Sequence, residues 1–317
     1  VGGFGGLATD MMVLMEEFGK AMVVEPFVAT AVLGGGLIAA LGSEQQKEQN
    51  LGPLMEGKLQ LAAALYETTG RYNLASVGTT AKREGDHYVV NGSKNLVLNG
   101  EAAQQLLVSV RTQGAERDEN GITIVMIDAT SSGVHRKAYT TVDGHRAAQI
   151  SFTDVRVPVA NCLGVEGEAL DAMRSVVDRA TLCVSAEAVG ALDMLLHKTV
   201  EYSKTRKQFG TAIGTFQALQ HRMADMFIEC QLARSIVVMA AMKLDSDIPD
   251  GEKARAVSAA KSRVGRAIRK VGQEAVQLHG GIGITNELDV GHLFKRVTGI
   301  ETLFGNSDFH TARFASL

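Results

Sequence analysis

Arg206 stands in the run Tyr202-Ser-Lys-Thr-Arg-Lys-Gln-Phe-Gly-Thr-Ala-Ile-Gly-Thr-Phe-Gln217, and Gln277-Leu-His-Gly-Gly-Ile-Gly283 follows further along the chain. A guanidinium is a permanent, forked donor whose geometry suits phosphate oxygens. A glycine pair such as Gly280–Gly281 lets backbone N–H groups approach an anion closely, and Gln277 lies one helical turn earlier. The chemistry open to these residue types is the holding of an anionic ligand. Taken alone, Arg206 reads as a solvated helix-end cation bonded to last-turn carbonyls.

Other reactive sets are thin. Histidines such as His87, His135, His145, His221 and His279 show no His-x-x-x-His or His/Cys spacing, so no metal site is expected. Cys162, Cys183 and Cys230 are widely spaced and lack a Cys-x-x-Cys pair, which fits a reduced, cytoplasmic compartment. Net charge is −3 over 317 residues, with 45% hydrophobic and 21% charged, so no strong field invites nucleic acid. No uninterrupted apolar run approaches the ~18 residues of a membrane span. Arg255, Lys261, Arg263, Arg266, Arg269 and Lys270 are spaced around a helix and read as a solvated face. Gly2-Gly-Phe-Gly-Gly6 has the look of a nucleotide loop, but no strand precedes it, and it reads as a turn.

Periodicity gives the elements that must position these groups. Residues 1–57 are helical in pattern, with Pro26 interrupting and Gly34-Gly35-Gly36 inside the second stretch. From Leu61 to about Pro158 the period is two, and strands are expected at Ala63–Tyr66, His87–Val90, Asn95–Leu98, Leu106–Val110, Ile122–Ile127 and Ala148–Phe152. Between them lie turn pairs: Gly85–Asp86, Asn91–Gly92, Asn99–Gly100 and Asn120–Gly121. Strands this short predict a compact antiparallel barrel. From Val165 the period returns to 3.6. Ala180–Leu196 is apolar almost all round, and Glu187 within it reads as hydrogen-bonded inside a bundle. Leu219, Met223, Met226, Cys230, Ala233, Val237 and Ala240 form one apolar face. Val257, Ala260, Val264, Ile268, Val271, Ala275 and Leu278 form another. The loop Gln208–Thr215 joins the first two helices, with Thr215 as the expected N-cap. This is an α + β chain, divided as 1–60 helical, 61–160 β and 161–317 helical.

The spacing of Tyr202, Arg206, Gln208, Phe209, Gly210, Ile213, Phe216 and Gln217, followed by Gln277, Gly280, Gly281 and Gly283, resembles the acyl-CoA dehydrogenase family. The likeness runs through essentially the whole chain. It implies an N-terminal helical domain, a middle antiparallel β-barrel domain and a C-terminal four-helix bundle. Because the family has a further helical segment upstream, the N-terminal domain is expected to be truncated. The resemblance also implies FAD as cofactor, an acyl-CoA thioester as substrate and an electron acceptor such as electron-transfer flavoprotein. In the family FAD lies across a subunit interface: one chain gives the ring pocket and its neighbour gives groups around the pyrophosphate and adenosine half. Arg206, Gln208, Phe209, Phe216, Gln217, Gln277, Gly280 and Gly281 match the half lent to a neighbour.

Desaturating an acyl thioester needs a carboxylate for the α-proton, donors for the thioester oxygen and a flavin in line with the β-hydride. Here the chain departs from the family. The Thr-Glu-Pro-Gly-x-Gly-Ser-Asp run becomes Tyr66-Glu-Thr-Thr-Gly-Arg-Tyr-Asn73, so Tyr66 and Tyr72 replace two hydroxyl donors. The aromatic-x-Thr before Asn-Gly becomes Leu96-Val-Leu98, two leucines expected to fill the barrel core. Phe304 stands where the family's commonest base, a Glu, should be. The minority position on the first bundle helix falls on Ala180 and Thr181. Glu301, Asp308 and Asp178 are the displaced carboxylates that remain as weaker candidates.

The run Phe18-Gly-Lys-Ala-Met-Val-Val-Glu-Pro-Phe27, with Val142-Asp-Gly-His145, most resembles the non-catalytic small subunits of heteromeric acyl-CoA dehydrogenases, such as pimeloyl-CoA dehydrogenase and the steroid side-chain enzymes, which are similar in lacking the base. A catalytic partner subunit, in a two-plus-two assembly, would supply the ring pocket and the Glu. The alternatives are a self-sufficient homo-oligomer with a displaced base and a flavin-free scaffold of the same fold.

Overall fold

The computed structural model describes residues 5–317, so most of the opening glycine run lies outside the described residues. The described backbone divides into two compact units, residues 25–180 and residues 5–24 with 181–317. The first helix therefore belongs with the C-terminal helices and not with the helical segment that follows it in sequence.

In the first unit a π-helical segment, Val28–Gly35, runs into α2 (Gly36–Leu41), and α3 (Glu44–Met55) follows; α1 (Ala8–Ala21) lies in the other unit. Eight strands come next: β1 (Leu61–Ala64), β2 (Thr80–Glu84), β3 (His87–Leu98), β4 (Gln105–Arg111), β5 (Ile122–Asp128), β6 (Val134–Thr140), β7 (Arg146–Pro158) and β8 (Cys162–Leu163). Their hydrogen-bonded order is β6-β7-β3-β2-β4-β5-β8, with β1 also on β4. This corrects the antiparallel barrel. The ladder runs as an open path, and β4 is parallel to both β1 and β2. Short turn pairs signal hairpins between successive strands, whereas β1 joins β4 only after a long excursion. Leu106, Leu107, Val108, Val110, Ile122, Ile124, Val125 and Ile127 are buried, so both faces of β4 and β5 are covered.

Asn91–Gly92 is not a turn. It lies inside β3, where the pairing with β7 slips between Val90 and Gly92. Gly92 has φ 146°, and a Cβ there would stand 2.6 Å from Thr79 Cα, so the bulge admits only glycine. A second slip follows between Lys94 and Val97, and Leu96 within it has φ 49°.

The second unit holds α1, most of α4 (Leu170–Thr205), α5 (Gln217–Asp245), α6 (Asp250–His279), α7 (Asp289–Thr302) and α8 (Ser307–Ser316). It is thus larger than a four-helix bundle. Both predicted apolar stripes point inward: Met226, Cys230, Ala233, Val237 and Ala240 on α5 and all seven named positions on α6 are buried. α1 crosses α4 at backbone contact. A Cβ on Gly19 would lie 1.9 Å from the Glu187 carbonyl oxygen, and one on Gly190 would lie 1.9 Å from that of Glu16. α4 is long and apolar enough to cross a membrane, but most of its apolar window is buried within the fold. Glu187 on α4 accepts a bidentate pair from Arg296 of α7 at 2.5 and 2.8 Å, which satisfies two buried charges together.

Candidate functional site

After α4 the chain turns through β9 (Lys207–Gln208) and β10 (Thr211–Ala212). Gln208 pairs with Thr211, and the two residues between them, Phe209 (φ 54°) and Gly210 (φ 83°), are both left-handed. That is the two-residue type I′ hairpin turn. Gly210 takes the conformation freely, whereas a Cβ makes it cost about 1–2 kcal/mol at Phe209. The strain holds an aromatic ring out in water: Phe209 is 93% exposed, edge-on to Phe216 with centroids 6.2 Å apart.

The backbone of Arg206 is fixed. Its N–H donates to the Tyr202 carbonyl and its carbonyl accepts from Ile213, each at 2.8 Å. Its guanidinium is exposed and has no carboxylate or carbonyl partner among the described residues. The reading of Arg206 as a cation bonded to last-turn carbonyls therefore does not hold. Gln208 and Gln217 are exposed on either side, and the Gln208 amide donates to the Lys207 carbonyl at 2.8 Å. Thr215 is not the cap of α5. Its hydroxyl turns back to the Ala212 carbonyl at 2.7 Å, and Phe216 takes the N-cap position.

The second motif sits against the first. The rings of Tyr202 and His279 stack at 4.5 Å between centroids and 27° between planes. His279 Nδ1 lies 2.8 Å from the Ala275 carbonyl, which can only accept, so Nδ1 carries the proton. α6 ends there, and Gly280 adopts φ 66°, ψ −149°, a region essentially reserved for glycine. Gly280, Gly281 and Gln277 are exposed. Arg206, Phe209 and the Gly280 turn thus present a cation, a glycine-only backbone turn and an aromatic pair on one helical unit.

The turn that carries Phe304 is different. Phe304 is buried, with φ 58°, in the turn between α7 and α8. Lys261, fully buried, donates to the carbonyls of Glu301 at 2.9 Å and Gly305 at 2.6 Å. His310 Nε2 donates to the Phe304 carbonyl at 3.1 Å. Glu301 accepts from Ser307 Oγ at 2.5 Å, Ser307 N–H at 3.1 Å and Arg269 at 2.9 Å. Burial works against its charge, yet the Ser307 and Arg269 donors outweigh it and hold the carboxyl below its usual range. The Glu301 carboxylate is thus already committed to Ser307 and Arg269. Asp308 is exposed in the first turn of α8, and Asp178 is buried within α4.

The run Tyr66–Asn73 is anchored by Glu67. That carboxylate accepts from Lys94 at 2.6 Å, from the N–H groups of Gly78 and Thr79, and from the Thr79 hydroxyl. Lys94 is fully buried and also donates to Ser109 at 2.9 Å. Leu96 and Leu98 do not fill the core. Leu96 is exposed and Leu98 half-buried, while Val97 between them points inward. The bulge at Leu96 turns the side chains over, so alternation counted from Lys94 fails there.

Sequence reasoning missed Lys94, Arg111 and Lys261. Arg111 donates to the carbonyls of Ala75, Val77, Glu116, Asp118 and Asn120, pinning two loops with one guanidinium. Lys261 was among the cations read as solvated. Its position among the buried stripe of α6, beside Ala260 and Val264, was the signal.

A mixed-sheet unit and a helical unit carrying these two motifs, in this order, define an acyl-CoA dehydrogenase fold. Family models agree: the acyl-CoA dehydrogenase N-terminal domain matches residues 1–58, the middle domain 62–155 and the C-terminal domain 167–316. The chain belongs to the acyl-CoA dehydrogenase family. It is 32% identical to the short-chain-specific acyl-CoA dehydrogenase of Megasphaera elsdenii, over 90% of this chain and 75% of that one. It is 29% identical to the caffeyl-CoA reductase-Etf complex subunit CarC of Acetobacterium woodii, over 93% of this chain and 78% of that one. A crystal structure of an FAD-dependent dehydrogenase superposes with TM-score 0.92 at 26% identity, covering 99% of this chain and 85% of the other.

Proposed function

We propose that this chain is the non-catalytic member of a heteromeric, FAD-dependent acyl-CoA dehydrogenase, paired two-plus-two with a catalytic subunit. One observation carries the reading: the groups suited to a neighbour's cofactor stand exposed, the Arg206 guanidinium among them with no partner among the described residues, while the turn that should hold the base holds Phe304. Arg206 would bind pyrophosphate oxygens with its fork, and the N–H groups about Gly280–Gly281 would face the same anion. Phe209 and Phe216 would shield that contact from water. Bound FAD supplies the hydride acceptor for α,β-desaturation of an acyl-CoA thioester. Leu96 and Leu98 bring no hydroxyl to a flavin ring of this chain's own, so its ring side does not fit the group.

The catalytic partner would supply the ring pocket and the carboxylate. An electron-transfer flavoprotein is the fitting acceptor, in line with the Etf complex that the Acetobacterium relative is named for. By resemblance, the substrate is a bulky or dicarboxylic acyl-CoA, of the pimeloyl-CoA or steroid side-chain kind. Expression of the chain alone and with a catalytic partner, followed by flavin absorbance, tests the reading. Colour is expected only on co-expression, and Arg206→Ala is expected to lower flavin retention by the complex without unfolding it. Flavin content unchanged by that substitution would refute the role given to Arg206.

A further inference from the structure

His279 is 5% exposed and held on three sides. Its Nδ1 donates back into the last turn of α6, to the Ala275 carbonyl at 2.8 Å, and its ring lies on Tyr202. Beyond Gly280 the chain folds over it. A Cβ on Gly283 would stand 2.9 Å from the His279 Cβ, so the turn closes this tightly only around a glycine.

These contacts fix what the other ring nitrogen can do. With the proton on Nδ1, Nε2 of the neutral ring carries a lone pair and can only accept. Nδ1 is turned back toward Ala275, so Nε2 is turned away from the body of α6, toward the helix end where the exposed Gly280 and Gly281 begin. Nε2 has no partner among the described residues, and it is not sealed from solvent. Packing on Tyr202 asks only for a ring, which phenylalanine provides without a lone pair. An acceptor enclosed this far is costly to leave without a donor.

The donor is not the pyrophosphate assigned to Arg206 and the Gly280–Gly281 turn, because its oxygens have no proton to give. The adenosine end of the same ligand has several. We propose that His279 Nε2 accepts a hydrogen bond from an uncharged donor of that adenosine half, a ribose hydroxyl or the adenine amine. The inference rests on the cofactor role proposed above. It adds to the charge contact of Arg206 a contact that pyrophosphate alone cannot make, so this turn would tell a nucleotide from a bare anion.

The co-expressed complex, stripped of flavin and titrated with FAD by flavin fluorescence, tests this. His279→Asn keeps a donor at the place of Nδ1, His279→Phe keeps the ring on Tyr202, and neither keeps the Nε2 acceptor. Each is expected to weaken FAD about five- to tenfold at unchanged circular dichroism, and His279→Gln, whose amide oxygen reaches the place of Nε2, to recover most of the affinity. Were the ring only packing, His279→Phe would bind as wild type does; were it only capping α6, His279→Asn would, and either result overturns the proposal. An FAD analogue with hypoxanthine in place of adenine separates the donors: the effect of His279→Asn vanishes with it if the amine donates and persists if a ribose hydroxyl does. Loss of affinity in Arg206→Ala but not in His279→Asn would sink this contact and leave the cofactor role standing. A wild-type complex that takes up no FAD would refute the cofactor role, and this contact with it.

Discussion

Tyr202 and His279 stack ring on ring at 4.5 Å, and this contact joins the hairpin that carries Arg206 to the turn that carries Gly280. One ring closes α4 and the other closes α6. Spacing along the chain cannot show that the two motifs meet; the stack does.

Tyr202→Ala should therefore loosen both motifs together. An aromatic pair contributes about 0.5–1.5 kcal/mol beyond its area, and the half-buried ring adds packing, so a loss of roughly 2 kcal/mol is expected. Tyr202→Phe should retain most of it. Urea unfolding measures the difference, and equal stability of Tyr202→Ala and wild type would remove the stack as a structural link.

The α1–α4 crossing leaves no room at either glycine. Gly190→Ala would place a methyl 1.9 Å from the Glu16 carbonyl oxygen, so the backbones must separate. A loss of at least about 2 kcal/mol is expected, with faster amide exchange concentrated in α1. Hydrogen exchange by mass spectrometry reads this directly.

Removing one member of the Glu187–Arg296 pair strands its buried partner. Arg296→Ala or Glu187→Ala should each cost about 3–5 kcal/mol, whereas Glu187→Leu with Arg296→Met should cost much less. A double-mutant cycle by chemical denaturation shows whether the two losses fail to add.

Two buried bases near Phe304 make stability depend on pH. Burial pushes Lys261 down to about 7 against the raising effect of Glu301, and burial with the Lys261 charge pushes His310 down to about 3. In the unfolded chain these groups keep their protons up to about 10.4 and 6.5. Across about 3–6.5 and about 7–10 the unfolded chain thus binds protons that the folded chain lacks, and stability rises with pH in both windows. Lys94, lowered by burial to about 8 despite Glu67, adds to the upper window. Lys261→Met should accordingly shrink the rise between pH 7 and 9 without abolishing it, as read from urea midpoints. An unchanged slope would mean that Lys261 stays charged.

Periodicity located the helices and the inward faces of α5 and α6, because one apolar stripe per helix is set by local repeat alone. It failed where the repeat is broken or the partner is distant. Asn91–Gly92 reads as a turn because its residue types suit one, yet Thr79 packs against Gly92 and keeps the strand running as a bulge. Leu96 and Leu98 were expected to fill the core as apolar strand residues, but the second bulge turns Leu96 outward. β6 was missed because its side chains are mostly exposed and no apolar alternation marks it. The two motifs, Tyr202–Gln217 and Gln277–Gly283, were legible from their spacing. The roles of Lys94, Arg111 and Lys261 were not, since buried cations are identified only by the carboxylates, hydroxyls and carbonyls that distant segments bring to them.

The proposal of a lent half-site is tested most directly by flavin stoichiometry, from absorbance against protein concentration. The chain purified alone should be colourless, and the complex with its catalytic partner should hold one FAD per two chains, falling with Arg206→Ala. One tightly held FAD per chain, in the absence of any partner, would contradict it.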